Sequence, residues 1–222
     1  MPAFRLDVRV DTQTLRSFPV AVGMRRYPTP TGDFAIAEVE WNPWWRPPDS
    51  YWARNDTVTP PGPRNPMGKV KMPFGRALYL HGTTVPSSIG KAASHACVRM
   101  HNADAITLGK LVQAYGGAAL SDAGTDSIIQ DWRPTRHVEL PAPVTVRIVY
   151  RLVELQGDEL VIYPDVYRRG RDLVEADALA LLAAAGYDTA AVDRGQLRRA
   201  AGEAVRSPVR LTIPRSQSEM RR

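Results

Sequence analysis

The chain has 222 residues, 44% of them hydrophobic and 23% charged, which is ordinary globular usage, sufficient for one large domain or a domain with an appendage. Nineteen prolines and 16 glycines fall short of low complexity, and the best apolar run, 178–185, is far below the roughly 18 residues of a membrane span. A net charge of +6 suits an anionic partner, whether nucleic acid, acidic lipid or acidic wall polymer, and the single cysteine, Cys97, excludes an internal disulfide.

The opening MPAFRLDVRV lacks a basic region followed by an apolar one, so no secretory signal is expected in the chain as it stands. In the same stretch Phe4, Leu6, Val8 and Val10 alternate with charged residues, the period of a half-buried strand. A second extended run, 18–22, ends at Gly23; turn chemistry follows in YPTPTG, and Phe34, Ile36 and Val39 resume an extended segment. Residues 42–72 are rich in Pro, Trp and Gly and keep no period, which predicts a long ordered loop or flap. A strand is predicted over 76–81. After Met100, Asn102 or Asp104 would cap a helix with Ala105, Leu108, Leu111, Val112 and Tyr115 on its apolar face, ended by Gly116 and Gly117. The polar stretch SDAGTDS is assigned no element. A β run over 144–155, a turn at 156–158 and a strand over 160–163 read as a hairpin. Beyond Gly170 the composition shifts to Ala and Leu, predicting helices near 171–185 and 193–205, a closing strand over 208–213 and a frayed tail, SQSEMRR. There is no internal repeat.

The residues with chemical potential crowd into HGTTVPSSIGKAASHACVRMHNADA. Three of the four histidines and the only cysteine fall within 21 residues. A thiol beside an imidazole can form a thiolate–imidazolium pair, a good nucleophile near neutral pH, and the imidazole can return its proton to a leaving amine. Cys97 is the candidate nucleophile, and His81, His95 and His101 are all candidate bases by spacing. If 94–99 is extended, His95 and Cys97 share a face, and the strand carrying His81 must lie alongside. A cysteine stopped just before a capped helix would also gather backbone N–H groups, the material of an oxyanion hole. Plainer readings stand beside these: a lone cysteine as a buried hydrophobe, His137 as an ordinary strand residue, His101 as a solvated residue at a helix start. A metal set of His81, His95, Cys97 and His101 would supply four N/S ligands, although the spacing matches no common zinc pattern.

Ser94-His95-Ala96-Cys97-Val98-Arg99 resembles the Ser-His-Gly-Cys-(Ile/Val)-Arg signature of the L,D-transpeptidase catalytic domains, the ErfK/YbiS/YkuD-like family. His81-Gly82-Thr83, sixteen residues before the cysteine, is similar to the family's His-Gly-Thr, with Ser88-Ile89-Gly90 between them. TPTGDF at 29–34, PWWRPP at 43–48 and NPMG at 65–68 resemble further family segments, in family order, over roughly residues 4–150. The signature glycine is Ala96 here. If the position requires φ > 0, alanine costs roughly 1 kcal/mol there; if glycine serves close substrate approach, the methyl narrows the pocket. Asp165-Val166-Tyr167 resembles an element seen after the domain in some members.

The resemblance implies a mainly β fold, a sandwich of mixed sheets with one central helix after the cysteine, as a catalytic domain over 1–155, followed by an α-rich extension over 156–222. It implies that Cys97 attacks the carbonyl of the third residue of a peptidoglycan stem peptide and expels the terminal D-alanine. His81 is the base, held by the Gly82 carbonyl; backbone N–H groups around His95, Ala96 and Cys97 form the oxyanion hole, with His95 a further orienting residue. Arg99 and Ser94 are expected to bind substrate, with an Arg99–Asp104 ion pair as the alternative for Arg99, and the Trp-rich loop at 41–52 is a lid, a glycan-facing wall or local packing. No metal, cofactor, nucleic acid or membrane span is expected. The expected partners are stem peptides, with a lysine amine of a protein as a further acceptor, and the expected location is the periplasm or cell envelope, with the leader removed. Two other readings remain open: an L,D-carboxypeptidase in which water replaces the acceptor, and an inactive wall- or metal-binding module.

Overall fold

A computed structural model of the chain describes residues 1–213. They form two compact units, one over Phe4–Val149, the other comprising Met1–Ala3 and the chain from Tyr150 onward. The expected tail, SQSEMRR, lies outside the described residues.

The first unit is built on strands β1 (Arg5–Val10), β2 (Gln13–Gly23), β3 (Gly32–Trp41), β4 (Val70–Gly75), β5 (Leu78–His81), β6 (Ala92–Ser94), β7 (Val98–Met100) and β8 (Arg136–Ile148). They form the mixed β structure expected, on one hydrogen-bonded path, β1-β2-β7-β5-β4-β3-β8, with β6 against β2. The β5–β7 and β2–β6 pairs are parallel and the others antiparallel. Phe18, Val20, Ile36, Val39, Val70, Met72, Leu80 and Met100 fill the core.

Helix α1 (Asn102–Tyr115) packs over β3, β4, β5 and β8 with Ala105, Leu108 and Val112 turned inward. It comes so close that a Cβ on Gly109 would stand 2.7 Å from the Trp41 ring. Two details differ from expectation. The helix begins at Asn102, with His101 at the cap position and no side-chain capping bond, while Asp104 sits in the first turn, where a carboxylate complements the helix dipole. Tyr115 is exposed; the buried position is Gln113, whose side chain accepts from the Trp41 indole N–H and donates to Thr125 Oγ1 at 3.1 Å. Thr125 belongs to α2 (Asp122–Gln130), which runs through the stretch assigned no element. Its start is capped by Ser121, whose hydroxyl accepts from the Gly124 N–H at 3.1 Å. Polar composition hid a helix whose buried contact is a hydroxyl rather than an apolar stripe.

The β run over 144–155 divides between the units. Strand β8 ends at Ile148, and β9 (Val153–Gln156) pairs with β10 (Glu159–Ile162), which pairs with β11 (Val209–Thr212). The division therefore falls at Tyr150, ahead of the boundary expected after 155, because Leu152 and Val153 bury into the second core. Helices α3 (Val174–Ala184) and α4 (Arg194–Glu203) supply Ala178, Leu182 and Leu197 to that core. The Asp165 carboxylate accepts from the backbone N–H groups of Arg169, Gly170 and Arg171 and from the Tyr150 hydroxyl, closing the turn before α3.

Candidate active site

Register places the two principal residues. In the parallel β5–β7 pair His81 is the partner of Arg99, and Cys97 immediately precedes β7. Alternation along a strand puts Cys97 on the face of Arg99, and Tyr79 on that of His81. All four line one cavity of about 670 Å³, together with Ser94, His95 and the loop aromatics Trp44, Trp45 and Trp52.

His81 is buried, and its Nδ1 lies 2.5 Å from the Gly82 carbonyl oxygen. A carbonyl only accepts, so Nδ1 carries the hydrogen and Nε2 keeps the lone pair. The backbone around this carbonyl is held on both sides, and the Gly82 N–H donates to the Val70 carbonyl at 3.3 Å. The Asn102 amide donates to the Thr83 carbonyl at 3.2 Å, and its Oδ1 fills the space that a Cβ on Gly82 or Gly68 would need, 2.0 Å away in each case. Two glycines from separate segments thus admit one buried amide behind His81.

Burial pushes the His81 imidazole down to about 4; the Gly82 bond opposes that shift, and the Arg99 and Lys71 charges add to it. Burial also pushes the Cys97 thiol up, against the Tyr79 N–H and the Arg99 charge. The thiol donates to the Ala77 carbonyl at 3.6 Å. Both shifts run against the thiolate–imidazolium pair suggested by composition. Desolvation disfavours the charged form of each residue.

The turn carrying the cysteine is held from below. Ala96 has φ 78°, the left-handed region, so the position does demand what glycine provides freely. Its carbonyl accepts from the Thr29 hydroxyl at 2.8 Å, and the Gly23 N–H donates to that hydroxyl at 2.8 Å; Thr29 is fully buried. Ser94 lines the cavity, yet its hydroxyl is committed to the Cys97 carbonyl at 2.5 Å, which makes it a brace for the turn rather than a free substrate contact. His95 stacks on Trp52 at 3.8 Å between ring centroids and 7° between planes, with Tyr27 tilted against it at 4.9 Å; it ties the loop to the cysteine turn.

The loop is ordered by Asn65, whose amide donates to the carbonyls of Pro43, Thr59 and Pro60 while its Oδ1 accepts from the Met67 N–H. Trp41 is core, whereas Trp44 is exposed at the cavity. Among the described residues Arg99 makes no ion pair, with Asp104 or any other carboxylate, and it faces the cavity.

His81, His95, Cys97 and His101 do not converge as a ligand group; among the described residues the one such cluster is Glu38, Glu40 and His137. Glu40 there is already paired with Lys71 at 2.7 Å. His137 lines the cavity 3.7 Å from Glu38, and His101 is not among the lining residues. Sequence reasoning missed Asn102 as more than a cap, and missed Lys71, Glu40 and Tyr79. Thr29 stood in a quoted motif, but nothing in the motif connects it with the cysteine turn.

A family model for the L,D-transpeptidase catalytic domain matches residues 2–146, and the chain belongs to that family. It is similar to YkuD of Bacillus subtilis, an L,D-transpeptidase by name, with 35% identity over 107 residues, 48% of this chain and 54% of that protein. It is also similar to ErfK/SrfK of Escherichia coli, named as an L,D-transpeptidase, with 31% identity over 102 residues, 42% of this chain and 33% of that one. Among solved structures, an L,D-transpeptidase from Mycobacterium smegmatis matches with a TM-score of 0.39 and 21% identity, covering 48% of this chain and 49% of the other. The chain spans about half the length of the Bacillus relative.

Proposed function

We propose that the chain is a cysteine-dependent L,D-transpeptidase that forms 3→3 cross-links between peptidoglycan stem peptides in the cell envelope. The observation that carries this reading is the His81 tautomer: Nδ1–H is committed to Gly82, and Nε2 is left as an acceptor in the cavity that holds the Cys97 thiol. As Cys97 Sγ bonds to the carbonyl carbon of the third stem residue, its proton passes to Nε2. Collapse of the tetrahedral intermediate breaks the C–N bond, and the same proton goes to the departing D-alanine amine. The acceptor amine then attacks the thioester, gives a proton to Nε2 and expels the sulfur, which is reprotonated from His81. Backbone N–H groups at the Ala96–Cys97 turn meet the oxyanion, and Arg99, which faces the cavity, meets a stem carboxylate. The acceptor is a second stem or a lysine amine of a protein.

The test is an intact mass spectrum of the protein with a carbapenem, a β-lactam that acylates a nucleophile of this kind. One adduct per chain, mapped to Cys97 and absent from Cys97→Ala, is expected. Product analysis with stem tetrapeptides then separates amine capture from hydrolysis. Folded protein that takes no adduct and turns over no peptide would leave a binding module.

A further inference from the structure

Strand β7 begins at Val98, one residue after Cys97, so the parallel β5–β7 ladder stops at the Leu80–Val98 pair. In that register His81 pairs with Arg99, and the odd-numbered residues of β5 turn their main-chain groups toward β7. The Gly82 N–H turns the other way, to the Val70 carbonyl at 3.3 Å. Continued by one more pair, the ladder would set Tyr79 opposite Cys97 and send the Tyr79 N–H to the Ala96 carbonyl. The chain prevents this. Ala96 has φ 78°, and its carbonyl is turned to the Thr29 hydroxyl at 2.8 Å. The start of β5 therefore presents a donor and an acceptor beyond the end of the ladder, and the side chain that meets them is that of Cys97.

The thiol donates to the Ala77 carbonyl at 3.6 Å, and the Tyr79 N–H donates to the sulfur, opposing the upward push of burial. Ala77 has φ 56° and closes the two-residue link between the Gly75 and Leu78 partners of β4 and β5, at a register shift. The residue whose carbonyl takes the thiol and the residue before the cysteine are thus both alanines held in the left-handed region, where Cβ is crowded. Such residues persist where the surrounding structure over-determines them. A carbonyl accepts only from the S–H, whereas an N–H donates to the sulfur and does so most strongly to the thiolate. We propose that the start of β5 is a backbone cradle for the Cys97 sulfur, in which the Ala77 carbonyl holds the thiol and the Tyr79 N–H holds the sulfur whenever it carries charge.

The contact with sulfur stands on the strand register, and its part in turnover rests on the transpeptidase reading. In the first step the thiol proton leaves for Nε2 of His81 while the C–S bond is still forming, and the Tyr79 N–H meets the charge that gathers on Sγ. In the second step the acceptor amine breaks the thioester and the C–S electron pair returns to Sγ. The same N–H donates to it until His81 passes on the proton taken from the amine. The donor belongs to the main chain, so no side-chain motif at position 79 records it.

A backbone ester at Tyr79, made by inserting the α-hydroxy acid with the tyrosine side chain, exchanges the N–H for an oxygen and keeps the ring. The same exchange at Leu80, whose partner is Met72 on β4, is the control for a weakened strand. Because the chain has one cysteine, alkylation by iodoacetamide, read by intact mass against pH, titrates Cys97 alone. The Tyr79 ester should move the midpoint up, leaving about tenfold less thiolate at any pH below it, the size of one hydrogen bond to a charged group. It should also slow amine capture of a preformed thioester, and the Leu80 ester should do neither. An unmoved midpoint overturns the cradle, as does equal movement in both esters. Wild type gives a readout that needs no variant: among the tyrosine amides, that of Tyr79 should shift downfield in NMR spectra as Cys97 ionises. A Tyr79 amide indifferent to that titration overturns the proposal even if an ester fails to fold. A midpoint that moves as expected, in a protein that no stem peptide acylates, upholds the cradle and overturns the transpeptidase reading.

Discussion

Ala96→Gly should stabilise the protein, contrary to the usual effect of introducing glycine. Ala96 stands at φ 78°, where Cβ crowds the following carbonyl, a cost of about 1–2 kcal/mol. The turn cannot relax, because the fully buried Thr29 holds the Ala96 carbonyl and is itself held by the Gly23 N–H. Glycine removes the strain but gives the unfolded chain more freedom, worth about 0.4–1 kcal/mol in the other direction. At the midpoints of these ranges the net gain is about 0.8 kcal/mol, or a rise in Tm of about 2–3 °C for a chain of this size. Thermal and urea melts measure it, with Thr29→Val as the companion. That variant keeps the shape but strips one partner from two polar groups, and should cost about 2–4 kcal/mol. A drop in stability for Ala96→Gly would refute the claim that the turn imposes the left-handed conformation. Carbapenem acylation by the glycine variant reports separately whether the methyl narrows the pocket.

The acid limb of the acylation rate should have its midpoint near pH 4 rather than near 6.5, because His81 holds its ring neutral down to about 4. The sign for stability is the same. The unfolded chain binds the imidazole proton more readily between those values, so stability is greatest above about pH 6.5, falls as pH drops towards 4 and levels off below. Denaturant titrations at several pH values check this, and His81→Gln should remove that share of the dependence. Gly82→Ala should cost at least about 2 kcal/mol and most of the acylation rate, since its Cβ would stand 2.0 Å from Asn102 Oδ1. Asn102→Ala in the same chain should recover much of the stability, and two single losses that simply add would count against the steric account.

Much of the first unit was legible because it obeys short periods: the alternation in β1, the turn before β3 and the helical spacing of α1 are all local signals. Cys97 and His81 were legible because their spacing resembles a family signature. Arg99, His81, Lys71, Glu40 and His137 were not legible as a row, since strand register brings together residues up to 97 positions apart that share no motif. The same holds for Asn102, whose value depends on two glycines in other segments. Helix α2 and the division at Tyr150 were hidden for a different reason. Where burial is carried by Thr125 and Gln113, or where one apolar run serves two cores, composition no longer tells which face is inside.

The protonation state of the site follows from the same geometry and bears on how the enzyme could work. A surface histidine beside a surface cysteine would share a proton readily, and composition alone suggests that arrangement. Here His81, paired in register with Arg99, is buried, and desolvation disfavours its charged form and that of the thiol alike. In the proposed mechanism these directions favour coupling of attack and proton transfer, the proton leaving the thiol as a carbonyl carbon takes up the sulfur's electrons. A neutral thiol is also slow to oxidise, because oxidation and exchange proceed through the thiolate. Burial that keeps the thiol protonated therefore slows its oxidation while leaving it in the wall of the cavity.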